Sequence, residues 1–304
     1  MNGTTLSWPC TQRAQSNSAL AGLGSQRQAQ WAQEEFASAP LSDRRRVQRL
    51  IIMATDFAQH PTAPIPQACG SWAKTKAAYR FFDNDEITPE NVLAAHAQAT
   101  LVRARAHAVV LCAQDTTTLN YSTHPQTQGL GPISNNRDKT LGLLLHSTLA
   151  LTPAGQPLGL LHAQTWARSG RSFGRSSNER NRTPRTQKES RKWMDSLSAC
   201  QALAAQCPDT TLVNVADREG DLYDMFVQAL APTEGPRVHL LVRAQHNRQV
   251  AHPQQPLWDW LAARHVGGQL KVQVPRKDGK PGRLATLAIR FARVTLRPLC
   301  LKED

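Results

Sequence analysis

Val109-Val110-Leu111-Cys112-Ala113-Gln114-Asp115-Thr116-Thr117-Thr118 and Thr211-Leu212-Val213-Asn214-Val215-Ala216-Asp217-Arg218-Glu219-Gly220-Asp221 decide how this chain folds. Each is a short run, dense in apolar and β-branched residues, that delivers an aspartate, and such runs read as buried strands. Carboxylates at the ends of neighbouring strands are hard oxygen ligands. They suit Mg2+ or Mn2+, which keep several waters and take phosphate oxygens as further ligands. Asp115 and Asp217 are therefore the candidate catalytic and metal-binding residues. An aspartate after a strand also serves as a helix cap, and Asp217 precedes a helical stretch, so capping is the competing reading.

Around these two runs the pattern gives strands over 108–114 and 118–122, a loop, and a strand over 140–151. A turn at Thr152-Pro153-Ala154-Gly155 leads to a strand over 157–165. A helix over 187–206 carries Trp193, Leu197, Cys200 and Ala204 on one face. The strand 211–216, a helix near 220–230 and a strand over 237–243 follow. Strands first, then helix and strand in alternation, describe a mixed α/β fold, a sheet covered by helices. By analogy with known folds this is the order of a ribonuclease-H-like core, over residues 106–245.

Upstream, residues 1–28 are rich in Ser, Thr, Gln, Ala and Gly and are expected to form a disordered leader. Residues 29–105 read as a helical domain. Ser42-Asp43 starts a helix with Val47, Leu50, Ile51, Ala54, Phe57 and Ala58 at helical spacing, and Arg44, Arg45, Arg46 and Arg49 on its opposite face. A helix over Ser71–Phe82 carries Lys74, Lys76 and Arg80. A third starts at Thr88-Pro89-Glu90, a threonine cap with proline in the first turn. These basic side chains fit a DNA-binding module; the spacing alone fits a plain bundle with solvated arginines equally well.

Downstream, residues 246–304 read as the start of a β-rich insertion, with strands at Leu270–Val274, Leu284–Phe291 and Arg293–Leu299 and a turn at Pro275–Lys280. The chain of 304 residues has a formal net charge of +13 and a pI near 10.0, which points to a polyanion, nucleic acid before membrane. No apolar run approaches the roughly 18 residues of a membrane span. No secretory signal is evident. Six cysteines lack a Cys-x-x-Cys pair, so neither a zinc site nor a disulfide framework is expected. Cys112 and Cys200 read as core residues, and the compartment as a reducing cytoplasm.

The segment Arg168–Lys192 holds nine Lys/Arg against two acids. It is read as a basic loop gripping phosphate through Arg171, Arg175, Arg182 and Arg185. Arg243 closes a strand and suits the same task. Arg218 is a candidate for bidentate phosphate contact, or for a local ion pair with Asp221 or Asp224. Asp221 and Asp224 are expected to face solvent, and Glu219 to complement a helix start. His146 and His162 are expected to be hydrogen-bonded core residues. Gly-x-Ser-x-Gly and Gly-x-x-x-x-Gly-Lys motifs are absent, which removes support for serine hydrolase and nucleotide-cradling readings.

A collinear series runs from about residue 30 to 250: Asp43-Arg44-Arg45, Ala78-Tyr79-Arg80-Phe81-Phe82, Asp115-Thr116-Thr117, His146-Ser147, Gly159-Leu160-Leu161-His162, Lys188-Glu189-Ser190-x-Lys192-Trp193, Asp217-Arg218-Glu219-x-Asp221 and Val242-Arg243-x-x-His246. Through it the chain resembles the DDE transposases of bacterial cut-and-paste elements, in the transposon-five-like branch of the insertion-sequence-four group.

The resemblance implies an N-terminal domain that binds double-stranded transposon ends and a ribonuclease-H-like domain that uses Mg2+ or Mn2+. It implies that Asp115 and Asp217 are the first two catalytic aspartates. Metal-activated water nicks DNA in that family, and the freed 3′-hydroxyl attacks the other strand and later target DNA. The family's third ligand is a glutamate in a Tyr-x-x-Arg-x-x-x-Glu-like helix after the β insertion. Neither that helix nor the C-terminal dimerisation region is found here, so the expectation is a truncated, bacterial cytoplasmic transposase without activity of its own. Two alternatives stand beside it: a DNA-binding remnant that inhibits an intact enzyme, and a metal nuclease drawing its third ligand from Glu219.

Overall fold

The computed structural model describes residues 25–124, 126–134, 140–169, 188–232, 235–276, 279 and 281–297. Contacts divide the chain into two units. The larger runs to Val215 and takes in Gln228–Leu241; the smaller holds Ala216–Val227 and the chain from Val242 onward.

The larger unit begins with helices α1 (Ser25–Phe36), α2 (Arg44–Gln59), α3 (Ile65–Cys69), α4 (Trp72–Phe82) and α5 (Pro89–Ala104). Local chemistry sets their starts. Asp43 caps α2, accepting the Arg45 N–H at 2.8 Å. Ser71 caps α4, and Thr88 caps α5 with Pro89 in the first turn. Gly70, at φ 67°, ends α3 in the left-handed conformation that suits glycine. Leu50, Met53, Cys69, Ala78, Phe81 and Ala95 form the shared core of the bundle. One expectation is corrected: α1 begins at Ser25, inside the expected leader; the short α3 lies in a stretch to which the sequence pattern assigns no element.

A six-stranded sheet follows, from β1 (Val109–Asn120), β2 (Gly131–Pro132), β3 (Leu141–Leu151), β4 (Pro157–Trp166), β5 (Thr211–Ala216) and β6 (His239–Val242). Helices α6 (Arg191–Ala204) and α7 (Tyr223–Leu230) interleave with the last strands. The order is β2-β3-β1-β5-β6, with β4 also on β3. Strand β1 pairs antiparallel with β3 and parallel with β5. Alternation places Val110, Cys112 and Gln114 inside, against Leu144, Thr148 and Ala150 of β3 and Trp193, Leu197 and Cys200 of α6.

The two strands expected over 108–114 and 118–122 are one. Its ladder to β3 is unbroken from Leu111↔Leu151 to Asn120↔Gly142, and threonines 116–118 are β-branched residues that sit well in such a ladder. Asp115 thus lies within a strand, not at its end.

In the smaller unit the residues after Asp217 form a 3-10 turn, Arg218–Gly220, before α7 starts at Tyr223, in place of one continuous helix. Helix α8 (Leu257–Ala262) lies within the span read as a β-rich insertion. Strands β7 (Gly268–Val274) and β8 (Arg283–Ile289) pair antiparallel in their own sheet. Of the strand expected at 293–299, the described residues 293–297 hold a single bridge, Val250↔Leu296, and the remainder lies outside the described residues. Part of the expected Pro275–Lys280 turn lies outside the described residues. No helix among the described residues is long and apolar enough to cross a membrane.

Candidate nucleic-acid interface

Helices α2 and α4 enclose a shallow groove lined by Arg45, Arg46, Arg49 and Arg80, with Phe81 and Ile87 beneath. Arginines from two helices converge there because each helix buries another face: Val47, Leu50 and Ile51 on α2, Thr75 and Ala78 on α4. The planar guanidinium presents paired donors that match phosphate oxygens. Arg80 also borders a second concavity with Trp72, Lys76, Tyr79, Phe82 and Asp83. Trp72 is 76% exposed, and Tyr79 and Phe82 about half. Basic side chains interleaved with exposed aromatics are what a nucleic-acid surface requires.

The groove's charges are not equally available. Arg45 grips its own helix cap, with Nη2 2.9 Å from Asp43 Oδ2. Arg46 pairs with Glu86 and Ser42; its hydrogen bonds hold the Glu86 carboxyl below the usual range. Lys74 reaches Asp56 at 2.8 Å, a partner that is buried. Arg44 lies apart from the groove, beside Gln33, Leu41 and Gln48. Arg49 and Arg80 in the groove, and Lys76 in the neighbouring concavity, have no acidic partner among the described residues. The exposed aromatics of α4 were not among the site residues read from sequence, although the spacing Trp72, Lys76, Tyr79/Arg80 on one helical face carried the signal.

Asp115 is exposed on β1, opposite Ser147 of β3. The parallel ladder to β5 ends at Ala113↔Val215, so β1 outruns β5 where Asp115 stands. Asp115 Oδ1 accepts the Thr116 N–H at 2.7 Å. Asp217, in the smaller unit, is exposed and caps the 3-10 turn through Glu219 N–H at 2.7 Å, as the capping reading anticipated. In both, one carboxylate oxygen accepts a backbone N–H from one or two residues on. The donor chemistry of two exposed carboxylates fits a hard divalent cation. Among the described residues no group of three His, Cys, Asp or Glu is gathered in metal-holding geometry.

Asp221 is a correction. It is buried rather than solvent-facing, and its partner is Arg248, not Arg218. Burial pushes its carboxyl up, but hydrogen bonds from the His246 and Gln245 N–H groups and from Arg248 outweigh this and lower it. Asp224 is half-buried on α7. Arg218 and Arg243 are exposed. Arg171, Arg175, Arg182 and Arg185 lie outside the described residues. At the flanks of that segment Arg168 pairs with Glu189, and Arg191 with Asp195.

His146 is a fully buried, hydrogen-bonded core residue. Gln114 Nε2 donates to Asn214 Oδ1, so its Oε1 accepts from His146 Nε2 at 2.9 Å; His146 Nδ1 then accepts from the Thr116 hydroxyl at 2.9 Å. His162 is half-buried, and its Nδ1 has no hydrogen-bond partner among the described residues, against expectation. Cys112 and Cys200 are buried free thiols.

Residues 28–87 match the transposase DNA-binding family. The matched span holds α2, α3 and α4 entire, with the arginine groove and the aromatic face of α4. The N-terminal helices therefore include a transposase DNA-binding domain.

Proposed function

We propose that this chain binds double-stranded DNA at transposon ends through the α2–α4 surface, and that its sheet belongs to a metal-dependent transposase core of ribonuclease-H-like type. The observation that carries the reading is the convergence of Arg49 and Arg80 on one groove, inside the span matched to transposase DNA-binding domains. Three long strands in the antiparallel series β4-β3-β1, followed by β5 parallel to β1, support the ribonuclease-H-like assignment.

Asp115 and Asp217 are the carboxylates proposed to hold Mg2+ or Mn2+. What supports the reading is their chemistry: each is an exposed carboxylate that follows a buried strand segment, Val110–Gln114 or Leu212–Ala216. A bound ion would supply an activated water and offset charge on the scissile phosphate. The chain's own residues would orient DNA: Arg49, Lys76 and Arg80 on the helices, Arg218 and Arg243 beyond the strands.

Selection of duplexes from a random pool by the full chain tests the binding reading. A recurrent sequence should emerge, and R49A/R80A should lose it. Calorimetric titration with Mn2+ tests the metal reading separately: binding should disappear in D115N/D217N. Unselective, variant-insensitive DNA binding would overturn the first reading, and Mn2+ binding that persists in the double variant the second.

A further inference from the structure

The smaller unit contains a buried carboxylate that the proposed chemistry does not use. Asp221 is 2% exposed. Its Oδ2 accepts the N–H groups of Gln245 at 2.7 Å and His246 at 2.8 Å. Its Oδ1 pairs with Arg248 Nη1, and Arg248 Nη2 donates to the Asp221 carbonyl at 2.8 Å. The Arg248 guanidinium also lies over the Phe226 ring, 5.3 Å from its centroid. A buried carboxylate must keep such partners or bear its full desolvation cost. Asp221 therefore dictates the path of the 243–248 turn.

That turn is tied at its other end as well. The Arg243 N–H donates to the carbonyl of Ala216 at 3.2 Å, and Ala216 immediately precedes Asp217. Asp217 caps the Arg218–Gly220 turn, which leads directly to Asp221. Two turns are thus braced together, at Ala216–Arg243 and at Asp221–Arg248. The side chains of Arg243 and His246 stay exposed on the braced turn.

We infer that Asp221 is a positioning residue: with Arg248 it fixes the Arg243–Arg248 turn against the Asp217 turn, so that Arg243 and His246 receive a DNA backbone phosphate beside Asp217. The inference rests on the reading of the chain as a DNA-binding transposase, and goes beyond it by adding His246 to Arg243 and by assigning the group that holds both. Exposed Arg and His donors on a fixed turn serve as a sequence-independent grip. Ordering them before DNA arrives removes an entropy cost from binding.

The test is fluorescence anisotropy of the full chain with a labelled random-sequence duplex over a salt series. R243A and D221N should each weaken binding roughly three- to ten-fold and flatten the salt slope by about 0.9, one phosphate contact. D221N should add little on top of R243A, yet combine additively with R80A on α4, which shares no hydrogen-bond partner with it. General damage to the fold would not select between those two backgrounds. R248K, which keeps a charge but loses the two-point grip, should reproduce the slope loss and covers the case in which D221N does not fold. Wild-type slopes in folded D221N or R248K would overturn the inference, as would additivity of D221N with R243A. Failure of the wild-type chain to bind the duplex would overturn the DNA reading itself, and this inference with it.

Discussion

Glu35 and Arg103 meet in a two-point ion pair, Nη1 to Oε2 at 2.9 Å and Nη2 to Oε1 at 3.0 Å, with the carboxylate 1% exposed. His96 Nδ1 is the third group on that carboxylate. Leu160 N–H donates to His96 Nε2 at 2.8 Å, which leaves the ring hydrogen on Nδ1, facing Glu35. Arg103 Nε donates to the Leu158 carbonyl at 2.6 Å. One carboxylate on α1 thus gathers two side chains of α5, and both reach on to the backbone of β4. The bundle that carries the DNA-binding surface is wired to the sheet through this cluster.

Glu35→Ala should destabilise the protein by roughly 2–4 kcal/mol, because it strips Arg103 and His96 of a buried partner. Urea unfolding followed by tryptophan fluorescence reads it. Acid should act through the same group. Burial pushes the Glu35 carboxyl up, but hydrogen bonds from His96 and Arg103 more than reverse this, to about 2 against an ordinary 4.5. A folded-state value below the unfolded one gives stability that is complete above about pH 4.5 and lost as pH falls toward 2. Glu35→Ala should lose that part of the acid dependence. An unchanged acid limb in the variant would show that Glu35 does not contribute to it.

Gly159 lies between the two β4 residues that receive these contacts, at φ 139°, a conformation L side chains rarely adopt. An added Cβ would stand 2.2 Å from Thr100 Oγ1 and 2.9 Å from Arg103 Nη2. Gly159→Ala should therefore cost more than the roughly 1 kcal/mol of a strained backbone alone. Its urea midpoint should fall further than that of Gly155→Ala, a turn glycine at φ 85° with open space around it. Equal midpoints would mean that β4 shifts to accept the methyl group.

His146 adds a second acid-sensitive element, in a different window. Burial, then the charge of Lys192, push its ring from an ordinary 6.5 down to about 4. The unfolded chain binds a proton at a pH where the folded chain does not. Stability should thus decline as pH falls from about 6.5 to 4, the unfolded state holding more protons throughout. His146→Gln should flatten that decline, and nuclear magnetic resonance of the ring should show no titration above about pH 5. A ring that titrates near 6.5 would contradict the buried network.

Local signals made much of the fold legible in the sequence. Asp43, Ser71 and Thr88 stand where capping side chains are needed, and all three cap the helices read from them. Alternation in β1 and β3 marked buried strands correctly. What could not be read depends on distant partners. Strand β1 continues through Asp115 because β3 pairs with it along its length, and no window around Asp115 contains β3. Asp221 looks like a solvated helix acid until Arg248, 27 residues on, arrives beside it. The Lys74–Asp56 ion pair is hidden for the same reason, since nothing near Lys74 announces Asp56.

Lys74 and Arg80 therefore provide a final contrast on one helix. Lys74 spends its ammonium on Asp56, whose Oδ2 has no hydrogen-bond partner among the described residues. Arg80 lines both the arginine groove and the aromatic concavity. Lys74→Ala should cost stability, roughly 1–3 kcal/mol for an abandoned buried carboxylate, and leave the salt slope of duplex binding near the wild-type value. Arg80→Ala should do the reverse, reducing that slope by about 0.9 with a stability change within about 0.5 kcal/mol, as for an exposed site. Anisotropy and urea unfolding on both variants give four measurements. If Lys74→Ala lowers the slope as much as Arg80→Ala does, Lys74 leaves Asp56 for DNA, and the ion pair belongs to the unbound protein alone.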